Sequence, residues 1–254
     1  MKITISHNTQ QFTADLSAPL DISIPLRDGL KNPNCFWAPP VQIWPVEAGS
    51  FIGDTTKGGA VNFKNITLNP HGNGTHTECV GHISTEKFTI NECLRSFHFL
   101  AKLVTLYPSR LDDGDRVILK SQIQEVLHVG EAEALVLRTM PNESHKLTAN
   151  YSGTNPPYLH HEAVDYLVEC GIAHLLLDLP SVDREEDGGR LLAHRAFWQY
   201  GKQADQIRKN STITEMIFVD NEIQDGLYLL NLQIASLELD ASPSKPVLFK
   251  LNAV

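Results

Sequence analysis

The chain has no run of about 18 or more apolar residues, the length a helix needs to cross a bilayer. Its opening stretch, Met1-Lys-Ile-Thr-Ile-Ser-His7, lacks the long apolar core of a signal peptide. A soluble, cytoplasmic protein with no membrane partner is therefore expected. Cysteine is sparse and scattered: Cys35, Cys79, Cys93 and Cys170 form no Cys-x-x-Cys pair. That spacing argues against both a disulfide framework and a thiolate zinc site. The four are expected to be buried thiols, with Cys79 set apart because a cation near it would make a reactive thiolate. Long runs of like charge are absent and the formal net charge is −9. This argues against a nucleic-acid groove or an anionic membrane surface and leaves a small molecule as the expected partner. Repeats of about 20 to 50 residues and low-complexity tracts are missing too, so solenoids and disordered arms drop out.

What is present is enough apolar material for one sizeable core. The 254 residues are 42% hydrophobic and 20% charged, a balance that fits a single α/β domain over 1–254. Strands are expected at 20–26, ending at Pro25, and at 61–68, 100–106, 134–138, 172–178 and 212–219. Helical spacing marks 121–129 and 160–170, the latter closed by Gly171. A strand, helix, strand order recurs, which implies an α/β architecture. Residues 31–60 read as a loop rich in Pro, Gly and aromatics. Phe36, Trp37 and Trp44 either line a binding pocket there or cover the edge of the core.

One segment concentrates chemistry. Asn69-Pro-His-Gly-Asn-Gly-Thr-His-Thr-Glu-Cys-Val-Gly-His-Ile-Ser84 holds His71, His76, Glu78 and His82. Neutral imidazole and carboxylate are the usual ligands of zinc, manganese and similar ions. If the chain is extended after Gly74, the period of two puts His76, Glu78 and, should the extension persist, His82 on one face. The competing reading is a solvated loop whose imidazoles cap backbone groups.

Further along, Asp178-Leu-Pro-Ser-Val-Asp183 ends an apolar strand where ligands commonly bind in α/β sheets, and His194 follows. Taken alone, His194 would be a satisfied surface or core histidine. Thr212-Ile-Thr-Glu215-Met-Ile-Phe-Val219 places a carboxylate inside an apolar strand. Burying it unpaired is costly, so Glu215 should meet a cation or face solvent on an edge strand.

Together these pieces resemble the cyclase superfamily that contains bacterial kynurenine formamidases and isatin hydrolases. Its hallmark is His-x-Gly-Thr-His-x-Asp-x-Pro-x-His, then Asp-x-Pro-Ser-Val-Asp, a histidine and a glutamate. The resemblance runs over most of the chain, from the Asp21-Ile-Ser strand to Asp225-Gly-Leu-Tyr-Leu-Leu230 and Pro243-Ser-Lys-Pro-Val247. It implies a mixed sheet with helices in a swivelling β/β/α-like fold and a divalent metal, zinc or manganese, one or two per chain. It makes His76, Glu78 (where the family has a bridging aspartate), His194 and Glu215 the metal ligands, with Glu222 as the substitute for Glu215 under a shifted alignment. His82 matches the acid/base histidine, and homodimers or homotetramers are implied.

The chain departs from the pattern in three places. The family's first histidine falls on Gly72, with His71 one position early; its aspartate is Glu78; its proline is Val80. Either a ligand is lost and one ion remains, or His71 moves in as an additional ligand. The implied activity is metal-assisted hydrolysis of a small amide or lactam, with Phe36 and Trp37 around the substrate. Two rivals stand beside it: a metal-assisted cyclase or dehydratase, and a binding protein that has lost catalysis.

Overall fold

The computed structural model describes residues 1–201 and 206–254. Ten strands share one sheet: β1 (Lys2–His7), β2 (Gln10–Asp15), β3 (Leu20–Asp21), β4 (His76–Glu78), β5 (His98–Leu106), β6 (Ala134–Thr139), β7 (His174–Leu177), β8 (Thr212–Glu215), β9 (Gly226–Ile234) and β10 (Ala241–Ala253). Their lateral order is β1-β2-β10-β9-β5-β6-β7-β8-β4, with β3 beside β10. β4 also pairs with the first residues of β10, Ala241 opposite Glu78 and Pro243 opposite His76. That second pairing bends the sheet into a closed barrel. β5 to β8 run parallel to their neighbours within that set and the other pairings are antiparallel, so the sheet is mixed.

The central strands are buried on both faces, which is why Ala134–Leu137 and Leu175–Leu177 read as apolar runs rather than alternating ones. The period of two still sorts their side chains. Leu135, Leu137, Leu175 and Leu177 face one core, shared with Ile123, Val164, Leu167, Phe197 and Trp198. Ala134, Val136 and Leu176 face the other, with Leu103, Leu230 and Leu248. Among the described residues four helices, α1 (Ile90–Cys93), α2 (Lys120–Val126), α3 (His161–Glu169) and α4 (Leu192–Trp198), accompany the sheet, and α2 to α4 supply the first core. The α/β class with a mixed sheet and helices is thus as expected.

Several bounds shift for local reasons. The strand expected over 20–26 is paired only at Leu20–Asp21, because beyond it Ile24 N–H donates to the Thr75 hydroxyl (2.9 Å) rather than to a neighbouring strand. The strand expected over 212–219 stops at Glu215, where Met216 takes a left-handed backbone (φ 52). Residues 31–60 are not wholly loop: Gln42–Pro45 pairs with Lys64–Thr67, and Glu47–Ala48 with Phe51–Ile52. Among the described residues no helix is long and apolar enough to cross a membrane.

Candidate metal centre

β4 lies between β8 and β10, so its three residues are buried although two carry ionisable groups. Pleating turns Thr77 away, where its hydroxyl meets that of Thr214 at 2.8 Å. His76 and Glu78 share the opposite face, and His76 is in register with Glu215. The extension does not persist to His82. A single 3₁₀ turn, Val80–His82, follows Glu78, and it is this turn that brings His82 Nδ1 to 3.8 Å from Glu78 Oε2.

The other donors arrive from distant segments. His71 sits in a turn organised by Asn69, whose side-chain oxygen accepts from the His71 and Gly72 N–H groups (3.0 and 2.9 Å). Its Nδ1 lies 3.1 Å from Glu78 Oε2. His194 occupies the first turn of α4. Asp183 accepts from the buried N–H groups of Ala193 (2.7 Å) and His194 (3.1 Å), which have no partner within the helix at its start. The same carboxylate takes His194 Nδ1 at 2.6 Å, leaving Nε2 at 3.1 Å from Glu78 Oε1. Glu215 lies on an inner strand rather than an edge strand: its Oε1 accepts the Val182 N–H at 2.9 Å and its Oε2 lies 3.5 Å from His76 Nε2. Asp240 completes the rim, its Oδ2 at 2.7 Å from His71 Nε2 and 3.4 Å from His82 Nδ1.

These contacts set the charge. Burial alone would push the His71 imidazole down, but its hydrogen bonds to Asp240 and Glu78 outweigh this and hold it up to about 10. His194 is raised to about 10 in the same way, against burial, by Asp183 and Glu78. Burial would raise Glu78; the imidazoles of His82, His194 and His71 keep it well below the usual carboxylate range. Asp240 is likewise lowered, first by His71 and then by His82.

The donor set fits a divalent cation. His71, His76 and Glu78 bring one ligand atom each within 4.8 Å of one another, as do Glu78, His82 and His194, and His71, His82 and Asp240. His76 supplies the sharpest test. Its Nδ1 meets the Gly74 carbonyl at 3.0 Å, while Nε2 is buried with no hydrogen-bond partner. An orphaned nitrogen in such a place is costly unless something binds it, and a metal ion satisfies it without a further proton.

Not every residue singled out from sequence joins the cluster. Phe36 lines a closed seam with Tyr151, Ser181 and Asp183, beside the His194 support. Trp37 is 66% exposed, and its ring packs near Gly153 instead. A cavity of about 520 Å³ adjoins that seam across Tyr151 and Pro156. Glu222 is exposed, at a turn where its N–H donates to Asp220. Asp178 is occupied by the Lys146 ammonium (2.8 Å) and by Thr139. All four cysteines are free and buried, and contact with Cys93 followed by burial holds the Cys79 thiol far above its ordinary value, the reverse of a reactive thiolate. Two residues went unassigned from sequence. Asp183 stood in a quoted motif without a role, and Asp240 carried no signal, being 162 positions from Glu78 and adjacent only through the β4–β10 pairing.

The barrel and the histidine–carboxylate cluster define a class: α/β proteins with a candidate metal centre at the closure of a mixed sheet. The Cyclase family model, described as "Putative cyclase", matches residues 14–184, and the chain belongs to that family. It is 29% identical to a kynurenine formamidase of Bacillus thuringiensis (strain Al Hakam) over 193 residues, 75% of this chain and 81% of that relative. It is 27% identical to a kynurenine formamidase of Bacillus cytotoxicus over 235 residues, 90% of this chain and 96% of the other. Isatin hydrolase A from Ralstonia solanacearum superposes with a TM-score of 0.65 at 12% identity, covering 91% of each chain, which speaks to the fold.

Proposed function

We propose that residues 1–254 form one metal-dependent hydrolase domain that cleaves a small amide or lactam C–N bond, of the kind kynurenine formamidases act on. Family membership and the formamidase relatives support the reaction class. The observation that carries it is the buried, unpartnered Nε2 of His76 beside Glu78. His76, Glu78, His194 and Glu215 are the ligands, joined by His71. Glu78 turns Oε2 towards His71 and Oε1 towards His194, so its carboxylate would help hold one or two divalent ions per chain, zinc or manganese.

A divalent ion in this donor set acidifies water and polarises the scissile carbonyl. The chain's own residues do the rest. His82, about a third exposed on the rim, takes the proton of the attacking water and delivers it to the leaving nitrogen. Asp240 at 3.4 Å aims its ring. Asp183 fixes the His194 tautomer, and the Gly74 carbonyl fixes that of His76. Phe36 borders the substrate side next to Asp183; Trp37 stands in the adjoining loop near Gly153. The binding-protein reading drew on the displaced first histidine; because His71 reaches Glu78 regardless, hydrolysis is the reading retained here.

We further propose a cytoplasmic homodimer or homotetramer with a small-molecule substrate; the net charge of −9 supports the reading that it has no nucleic-acid or anionic membrane partner. His76→Ala and His194→Ala are each expected to lower bound metal and to cut turnover of a panel of N-formyl arylamines and cyclic amides by at least about a thousandfold. Product analysis should show ring-opened or deformylated material rather than cyclised product. Unchanged metal content and turnover in both variants would refute the assignment.

A further inference from the structure

Three histidines around Glu78 share one arrangement. Each has one ring nitrogen held by a protein acceptor: His76 Nδ1 by the Gly74 carbonyl (3.0 Å), His194 Nδ1 by Asp183 (2.6 Å) and His71 Nε2 by Asp240 (2.7 Å). Each points its other nitrogen into the cluster, at Glu215 (3.5 Å), at Glu78 Oε1 (3.1 Å) and at Glu78 Oε2 (3.1 Å) respectively. A metal-bound imidazole typically donates its remaining N–H to a carboxylate or carbonyl, which fixes the tautomer and the ring plane. We infer that His71 ligates through Nδ1 and that Asp240 is the positioning residue that makes it a ligand, accepting the Nε2–H. This deepens the metal-dependent reading above and rests on it.

Gly72 supplies independent support, because it explains why a substitute is needed. A Cβ at Gly72 would lie 2.2 Å from the Ala38 Cβ and 3.3 Å from the Cys35 carbonyl oxygen. The Gly72 carbonyl is meanwhile tied to the Cys35 N–H at 3.1 Å. No side chain fits there, so a histidine must reach the cluster from the preceding position and needs an acceptor of its own. Asp240 is delivered by the closing pair of the barrel: the Cys79 N–H donates to the Asp240 carbonyl at 2.9 Å, and Ala241 stands opposite Glu78. The same carboxylate oxygen is 3.4 Å from His82 Nδ1, and the shorter contact of 2.7 Å belongs to His71.

The test is a zinc titration of metal-stripped protein in competition with a chromophoric chelator, for wild type, Asp240→Ala, Asp240→Asn, His71→Ala and the His71→Ala/Asp240→Ala double variant. Circular dichroism checks that each is folded. Asp240→Ala should weaken one zinc ion by roughly 10- to 100-fold. Asp240→Asn, whose amide oxygen can still accept, should recover part of that loss. In the His71→Ala background, removing Asp240 should change nothing more, since its effect passes through His71. Wild-type affinity in Asp240→Ala overturns the inference, and so does an equal further loss in the double variant, which would assign Asp240 to the metal directly. If Asp240→Ala does not fold, the same cycle with Asp240→Asn decides. Zinc failing to bind the wild type would refute the metal-dependent reading itself, a result separate from normal zinc binding that ignores Asp240.

Discussion

His174 and His194 are both buried imidazoles, and their partners drive them in opposite directions. His194 meets two carboxylates and is held up to about 10. His174 meets the Thr212 hydroxyl at 2.8 Å and stacks on Phe99 with ring centroids 3.8 Å apart. Burial, then the Arg208 charge, push it down to about 4. The folded chain therefore prefers neutral His174, a preference fully present above the ordinary value near 6.5 and lost as pH falls from there through 4. Complete loss amounts to about 3 kcal/mol. Urea midpoints should thus fall more steeply between pH 7 and 4.5 in the wild type than in His174→Gln, and identical slopes would disprove this. Legibility at this scale was uneven. His76 and Glu78 could be named because a short motif carries them and His194 because of the family resemblance, whereas His174 is an ordinary letter in an apolar strand, and Asp240 acquires meaning only from what lies across the sheet.

At the scale of elements, α4 is the support on which one side of the centre rests. Trp198, one turn after His194, is fully buried, its indole N–H donates to the Ser211 carbonyl at 2.8 Å, and its ring lies 5.5 Å from that of His194. Trp198→Ala should cost about 3–5 kcal/mol, as large-to-small core changes do, while Trp198→Phe should cost much less. A thermal melt decides, and a near-neutral alanine variant would show that the helix does not depend on this packing. The turn Val80–His82 is constrained differently. A Cβ on Gly81 would fall 2.2 Å from the Phe88 carbonyl oxygen. Gly81→Ala should therefore displace His82 and cost about 1–3 kcal/mol, with turnover falling more than zinc affinity, because His82 is assigned to proton transfer rather than to holding the ion. Equal losses in both would contradict that division. The extended face proposed for His76 and Glu78 was legible from their spacing; the turn that carries His82 was not, because it depends on packing against a carbonyl seven positions away.

For the whole molecule, the informative surface is the segment around the two short ribbons. Trp44, Phe51, Val61, Phe63 and Ile66 are all exposed there, from 39% to 57%. Apolar residues gathered in one region this way commonly mark an interface. Light scattering coupled to gel filtration is expected to show a dimer or tetramer, and Phe63→Glu combined with Ile66→Glu should shift it towards smaller species. A wild-type monomer at micromolar concentration would overturn the oligomer proposal.

By itself the sequence determined the class of the fold and the chemical character of the centre. The short apolar runs Ala134–Leu137 and Leu175–Leu177 fit buried central strands, and the histidines and carboxylate crowded between His71 and His82 point to a cation. Tertiary structure alone decided which atoms meet. Barrel closure by the β4–β10 pair sets Asp240 beside His71, and the start of α4 turns Asp183 onto His194. The physical reason is that these contacts join positions from 11 to 169 residues apart. Their geometry follows from strand register and close packing, and neither is written in the spacing of neighbouring letters.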